Sequence, residues 1–206
     1  MITLQEMSML SVLYTQPHRT YHNINHINEC LVELENFHSV EFTYADRRIV
    51  ERAIWYHDAV YNPYSKNNEA NSALLLQKGY WAEHEEVHDA IIATSRHMIT
   101  QVGKDKNGHQ GPLPLTTQVM LDIDLVGFGK STPECLANGE NVRKEYYKTN
   151  DYDFYTGRLK FLREIMKRES LYYTDYFKEK YHEQSQKNLK LEEEIALDYI
   201  DQQSGM

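Results

Sequence analysis

The chain has 206 residues, with 22 Lys+Arg against 31 Asp+Glu, a formal charge of −9 with its ten histidines neutral, and a pI near 5.6. That length suits one domain or a tight pair of helical lobes with a core that needs no staples, and the acidic balance makes a poor coat for nucleic-acid polymers while leaving small anionic substrates open wherever a cation inverts the local field. Its two cysteines, Cys30 and Cys135, form no CxxC pair, which excludes a zinc ribbon or a disulfide scaffold and suits a reducing cytoplasm.

Long stretches free of Gly and Pro carry helical periodicity. Helices are predicted over 2–15, 22–38, 44–60, 67–79, 83–98, 115–128, 133–149, 152–168 and 174–200. In 44–60, Ile49, Ala53, Trp55, Tyr56 and Val60 make a broad apolar face, and Asn62-Pro63 terminates the helix. Asn67 is expected to cap the next helix, which buries Ala70, Ala73, Leu74 and Leu76. The segment 100–114, polar and rich in Gly and Pro, is read as a loop between core helices rather than a domain boundary. The last helix is strongly charged and packs one face only. With 16 tyrosines in a chain that is 41% hydrophobic, the core must use Tyr bodies whose hydroxyls find partners. No alternating strand of useful length and no apolar run of 18 residues occurs, and the N-terminus has no basic segment followed by an apolar one. The expectation is an all-α, single-domain chain over 1–206, with core motifs in 14–130 and the helices of 133–200 packed on them, neither secreted nor membrane-spanning.

Three clusters carry chemistry. In Arg19-Thr20-Tyr21-His22-Asn23-Ile24-Asn25-His26 the two histidines are four apart, so a helical register puts both rings on one face. His57-Asp58 stands near a helix end, where a tilt inward would let both side chains share one ion. Asp122 and Asp124 interrupt an otherwise apolar run, and a carboxylate buried there needs a partner or a metal. Two residues on a helix are about 200° of rotation apart, so one ion does not receive both acids. Imidazole with carboxylate suits borderline divalent ions such as Mn, Fe, Co, Ni or Zn. His84, His88 and His109 lie in polar surroundings and are assigned no role.

The order His…His-Asp…Asp resembles the HD superfamily of metal-dependent phosphohydrolases, and YHNINH resembles the YHNxxH motif of cyclic-nucleotide phosphodiesterases within it. More closely, HRTYHNINHI, AIWYHDAVY, NEANSALLL, IATSRH, LDIDLVGFG, VRKEYY and YTGRLKFL are similar to the blocks of a group of small bacterial predicted HD phosphohydrolases, over residues 14 to 195. The resemblance implies an HD-like helical bundle in which His26, His57, Asp58 and Asp124 hold a divalent ion (Mn, Mg, Ni, Co, Fe or Zn). Asp124 is preferred because Ile-Asp-Leu is similar to the Ala-Asp-Leu around the superfamily's last ligand, which leaves Asp122 to orient a ligand histidine by a hydrogen bond. His22 matches the phosphodiesterase histidine that protonates the leaving oxygen.

The phosphodiesterases place a further metal-site His and Asp differently, so a second metal is not implied. His97 is read as a contact for a phosphate oxygen or for a second ion. The implied activity is hydrolysis of a small phosphorylated molecule, a nucleotide among the options, by metal-activated water that Asp58 orients. Arg19 and Arg143 are expected to hold non-bridging oxygens, with Glu69 positioning Arg19 or a water, and an ordinary helix–helix ion pair is the alternative for these three. Two other classes stay open: an HD-fold di-iron oxygenase, which adds histidine ligands, and a non-catalytic nucleotide-binding module. No membrane or nucleic-acid polymer is expected as a partner, and a homo-oligomer is compatible with this reading.

Overall fold

The computed structural model describes residues 2–76, 84–95, 97, 102–104 and 110–204. Its elements are α1 (Leu4–Tyr14), α2 (Ile24–Asn36), α3 (Tyr44–Tyr56), α4 (Asn68–Leu74), α5 (His84–Thr94), β1 (Val102–Lys104), β2 (Gln110–Pro112), α6 (Leu115–Asp124), a 3-10 turn (Val126–Gly129), α7 (Thr132–Glu145), α8 (Asp151–Ile165) and α9 (Asp175–Ser204). The fold is all-α, as the periodicity implied. Residues 77–83 and 98, at ends of two predicted helices, and His109 lie outside the described residues. Inside the predicted loop 100–114, β1 and β2 pair antiparallel with Gly103 opposite Gly111. Three-residue strands are too short to leave an alternating pattern, so this hairpin has no signature in the sequence.

Side chains set the helix starts. Thr3 with Glu6, Thr43 with Asp46 and Ser131 with Glu134 form reciprocal capping boxes at α1, α3 and α7. The Asn23 side chain accepts from the Asn25 N–H, so α2 begins at Ile24 and not at His22. Asn67 precedes α4 but makes no side-chain cap; its own N–H donates to Ser65 Oγ.

The chain forms two compact units, Met1–Asp124 and Leu125–Met206. In the first, α3 packs against α1, α2, α5 and α6, and α5 also meets α4 and α6. Leu10, Tyr14, Ile27, Ile54, Ile91 and Met120 fill the space between these helices. Arg52 Nη2 donates to both carboxylate oxygens of Glu6 at 2.8 and 2.9 Å, and Tyr56 Oη donates to the same group at 3.0 Å, tying α3 to α1. The buried Tyr14 hydroxyl donates to the Trp55 carbonyl at 3.0 Å, one of the partners that buried tyrosines require.

In the second unit α9 lies along α7, α8 and the 3-10 turn. Phe177, Tyr181, Ser185, Asn188, Leu189, Glu192 and Ala196 are its buried stripe at helical spacing, so α9 does pack one face. A Cβ on Gly129 would stand 2.6 Å from Tyr181 Cβ and 2.7 Å from Tyr172 Oη, so only glycine lets the turn approach this closely. Asn188 donates to the carbonyls of Phe128 and Lys130, both at 2.8 Å. Among the described residues no helix is long and apolar enough to cross a membrane.

Candidate metal centre

All four expected ligands belong to the first unit. His26 lies in the first turn of α2, His57 and Asp58 follow the end of α3, and Asp124 is the last residue of α6. The helix predicted to run to residue 60 stops at Tyr56. His57 keeps helical dihedrals, φ −57° and ψ −38°, and the chain then turns. That early stop lets adjacent residues point the same way, which an uninterrupted helix forbids.

Other side chains satisfy the turn's backbone. Arg19 donates from Nη1 to the Asp58 carbonyl at 2.6 Å and from Nη2 to the Ala59 carbonyl at 2.9 Å. Ser72 Oγ accepts from the Val60 N–H at 3.0 Å and donates to its carbonyl, and Asn68 does the same for both groups of Asn62. Thus α4 and the segment before α2 hold the His57-Asp58 turn from two sides.

The donor atoms converge. His26 Nε2 is 3.1 Å from Asp124 Oδ1 and 4.0 Å from Asp58 Oδ2, while His57 Nε2 is 3.1 Å from Asp58 Oδ2 and 3.4 Å from Asp124 Oδ1. Donors bound about 2.1 Å from one ion stand roughly 3.0 Å apart at octahedral and 3.4 Å at tetrahedral angles. His57 supplies the sharper test. Its Nδ1 lies 2.8 Å from the Ile54 carbonyl, which can only accept, so that nitrogen carries the proton. The opposite Nε2 is buried without a hydrogen-bond partner and faces two carboxylates. Two carboxylates at that distance call for positive charge at the nitrogen, which a proton or a metal cation supplies.

The electrostatics agree. Burial pushes His57 down, yet the carboxylates of Asp58 and Asp124 outweigh it and hold the ring well above the usual imidazole range. Burial raises Asp58 and Asp124, but His57 together with His22 for the former, and with His26 and His97 for the latter, drives both well below the usual carboxylate range. The residues present therefore fit a divalent ion of the borderline class.

The remaining expected residues have varied places. His22 stands before the cap of α2, not on its first turn, yet its ring centroid is 6.1 Å from that of His26 and stacks on Tyr61 at 4.3 Å. The side chain reaches the centre from the side, outside the ligand set. His97 lies beyond the end of α5, and its Nε2 is 2.8 Å from Asp124 Oδ2, the oxygen turned away from His26 and His57. It therefore orients the Asp124 carboxylate, a role the sequence reading did not give it.

Asp122 is wholly buried on α6 but is not among the converging donors, which include Asp124. Arg19 is 4% exposed and its fork donates to the carbonyls of His22, Asp58 and Ala59, so it holds the turn. Arg143 sits in the second unit, where it bonds the Asp151 carboxylate and the carbonyls of Tyr146 and Thr149, joining α7 to α8. Glu69 is half-buried in the first turn of α4.

Sequence reading also passed over Cys30, one helical turn after His26, whose Sγ is 3.8 Å from both ring nitrogens of that histidine. The i,i+4 spacing from a ligand was the available signal. Comparison of the chain with protein-family models, with curated proteins and with solved structures finds no match.

Proposed function

We propose that the chain is a metal-dependent phosphohydrolase of HD type, acting in the cytoplasm on a small phosphorylated molecule such as a nucleotide. One observation carries the reading: two imidazoles and two carboxylates from three separate helix ends converge, with His57 Nε2 buried and without a hydrogen-bond partner among them. His26, His57, Asp58 and Asp124 would hold Mn, Mg, Ni, Co, Fe or Zn. Such an ion, when bound, supplies Lewis acidity toward a phosphoryl group and activates water for attack.

The chain's own groups supply the rest. Asp58 orients the attacking water by accepting its hydrogen bond. His22, beside the ligands but not one of them, delivers a proton from its ring to the leaving oxygen. Tyr61, stacked on it at 4.3 Å, supports one face of the ring. Arg19 fixes where Asp58 stands through that residue's carbonyl. Both donor groups among the described residues contain His26, so they overlap at one place in the first unit.

The test is phosphate release from a panel of nucleotides and phosphate esters with each metal added separately. Expected is turnover that requires a divalent ion and is lost in His57→Ala together with bound metal. Equal metal stoichiometry in wild type and His57→Ala would refute the ligand assignment. Tight nucleotide binding without turnover would favour the binding module.

A further inference from the structure

Cys30 is 2% exposed and faces the metal centre from the second turn of α2. Its Sγ stands 3.8 Å from Nδ1 and 3.8 Å from Nε2 of His26, so it lies against the ring without choosing one nitrogen. Sγ, a His26 ring nitrogen and an Asp124 carboxylate oxygen all lie within 4.8 Å of one another. A second observation marks the same space as built for a cation: His57 Nε2, buried and without a hydrogen-bond partner, points at Asp124 Oδ1 from 3.4 Å.

The distances separate two ways of filling it. With a metal–sulfur bond of about 2.3 Å and a metal–nitrogen bond of about 2.1 Å, donors stand roughly 3.6 Å apart at tetrahedral angles and 3.1 Å at octahedral ones. The Cys30–His26 separation of 3.8 Å is nearer the tetrahedral value. The His26–Asp124 and His57–Asp58 separations, both 3.1 Å, are nearer the octahedral value for nitrogen and oxygen donors, while the His57–Asp124 separation of 3.4 Å stands at the tetrahedral one. Tetrahedral coordination with sulfur is the preference of thiophilic d10 ions, and octahedral coordination with oxygen that of Mg and Mn.

We propose that the centre has two overlapping ligand sets that share His26 and Asp124. A harder ion uses them with His57 and Asp58. A thiophilic d10 cation of the zinc and cadmium class uses them with the Cys30 sulfur. In the second set a metal–sulfur bond replaces the S–H bond, the proton passes to solvent buffer, and no electron is transferred. Cys30 is then the residue that decides which ion the centre retains. This rests on the metal-centre reading above, and it adds a class of cation that competes with the hydrolytic one.

The experiment uses the reduced full chain and titrates Cd(II) while recording the near-ultraviolet charge-transfer band of a cadmium–thiolate bond. Mn(II) binding is measured on the same proteins by electron paramagnetic resonance of the free ion. Expected is a band that saturates with wild type and with Cys135→Ser and is absent in Cys30→Ser, and displacement of bound Mn(II) by Cd(II) in wild type. Mn(II) binding retained by the Cys30 variant shows that its centre is intact, and Cys30→Ala stands in if Cys30→Ser does not retain it. A band that persists without Cys30, or wild type that binds Mn(II) yet gives no band, overturns the proposal. Failure of wild type to bind either ion refutes the metal centre itself, which is a different result.

Discussion

Removing the Arg19 fork should loosen the His57-Asp58 turn before it affects any substrate. Arg19→Met leaves the Asp58 and Ala59 carbonyls, now bonded at 2.6 and 2.9 Å in buried positions, without donors. An orphaned buried carbonyl costs about 1–3 kcal/mol, so the two together cost roughly 2–6 kcal/mol. The guanidinium also lies 5.2 Å from the Tyr14 ring centroid and 5.4 Å from that of Tyr61, and those contacts are lost as well. Partial relaxation of the turn lowers the sum, and about 3 kcal/mol is the expected destabilisation. With Asp58 in the proposed ligand set and its position dependent on this turn, metal affinity should fall by about 10–100-fold. Arg19→Lys offers a single ammonium where a planar fork reached two carbonyls, so it should recover about half of each loss. Urea unfolding gives the first quantity and calorimetric Mn(II) titration the second. If Arg19→Lys keeps wild-type stability and metal affinity but raises KM, the arginine serves the substrate and the reasoning here is wrong.

His22→Ala should keep its metal and lower kcat by roughly 10²–10⁴-fold, checked by metal content and steady-state rates; loss of the metal would make His22 a ligand. Asp124→Asn should abolish or greatly weaken Mn(II) binding in a titration, whereas Asp122→Asn, outside the converging donors, should weaken it less, by about 10–100-fold at most; the reverse order would show the register of α6 to be misassigned. Glu6 is depressed from 4.5 to about 2: burial raises it, but its bonds to Arg52, Thr3 and Tyr56 prevail. A depressed carboxylate stabilises above its unfolded pKa and is lost as pH falls through the folded one, so the wild-type advantage over Glu6→Gln should shrink between pH 4.5 and about 2. Because the group is partly exposed, that advantage at neutral pH should be about 1 kcal/mol rather than the full shift, read from urea unfolding across pH.

The sequence reading located the helices because apolar residues recur at helical spacing between rare Gly and Pro, and α3, α6 and α9 show this most clearly. It singled out His26, His57, Asp58 and Asp124, whose donor atoms the fold brings close together, because acids inside an apolar run and histidines in a helical chain need a physical reason to be there. It misjudged ends. His22 and His26 appear as one helical turn by counting, but Asn23 caps α2 and puts His22 outside it. The helix through 44–60 carries apolar residues to Val60, yet it stops at Tyr56 because Arg19, Ser72 and Asn68 satisfy the carbonyls and amides of the turn from outside. Arg19 lies 39 residues from the Asp58 carbonyl and Ser72 and Asn68 sit on the next helix, and no local propensity announces such help. The same holds for His97, whose bond to Asp124 closes over 27 residues.

Those misjudged ends are also where the chemistry sits. A helix interior spends its backbone groups on itself and spreads neighbouring side chains by about 100° each, so it cannot aim adjacent donors at one point. Ending α3 early frees His57 and Asp58 to converge but leaves carbonyls and amides that must be satisfied from elsewhere. Arg19 meets that need with a fork buried to 4% exposure that reaches the Asp58 and Ala59 carbonyls. The same fork also reaches the His22 carbonyl at 3.1 Å. A glutamine of similar reach offers one amide nitrogen where the planar guanidinium spans three carbonyls, and this explains why an arginine stands at position 19.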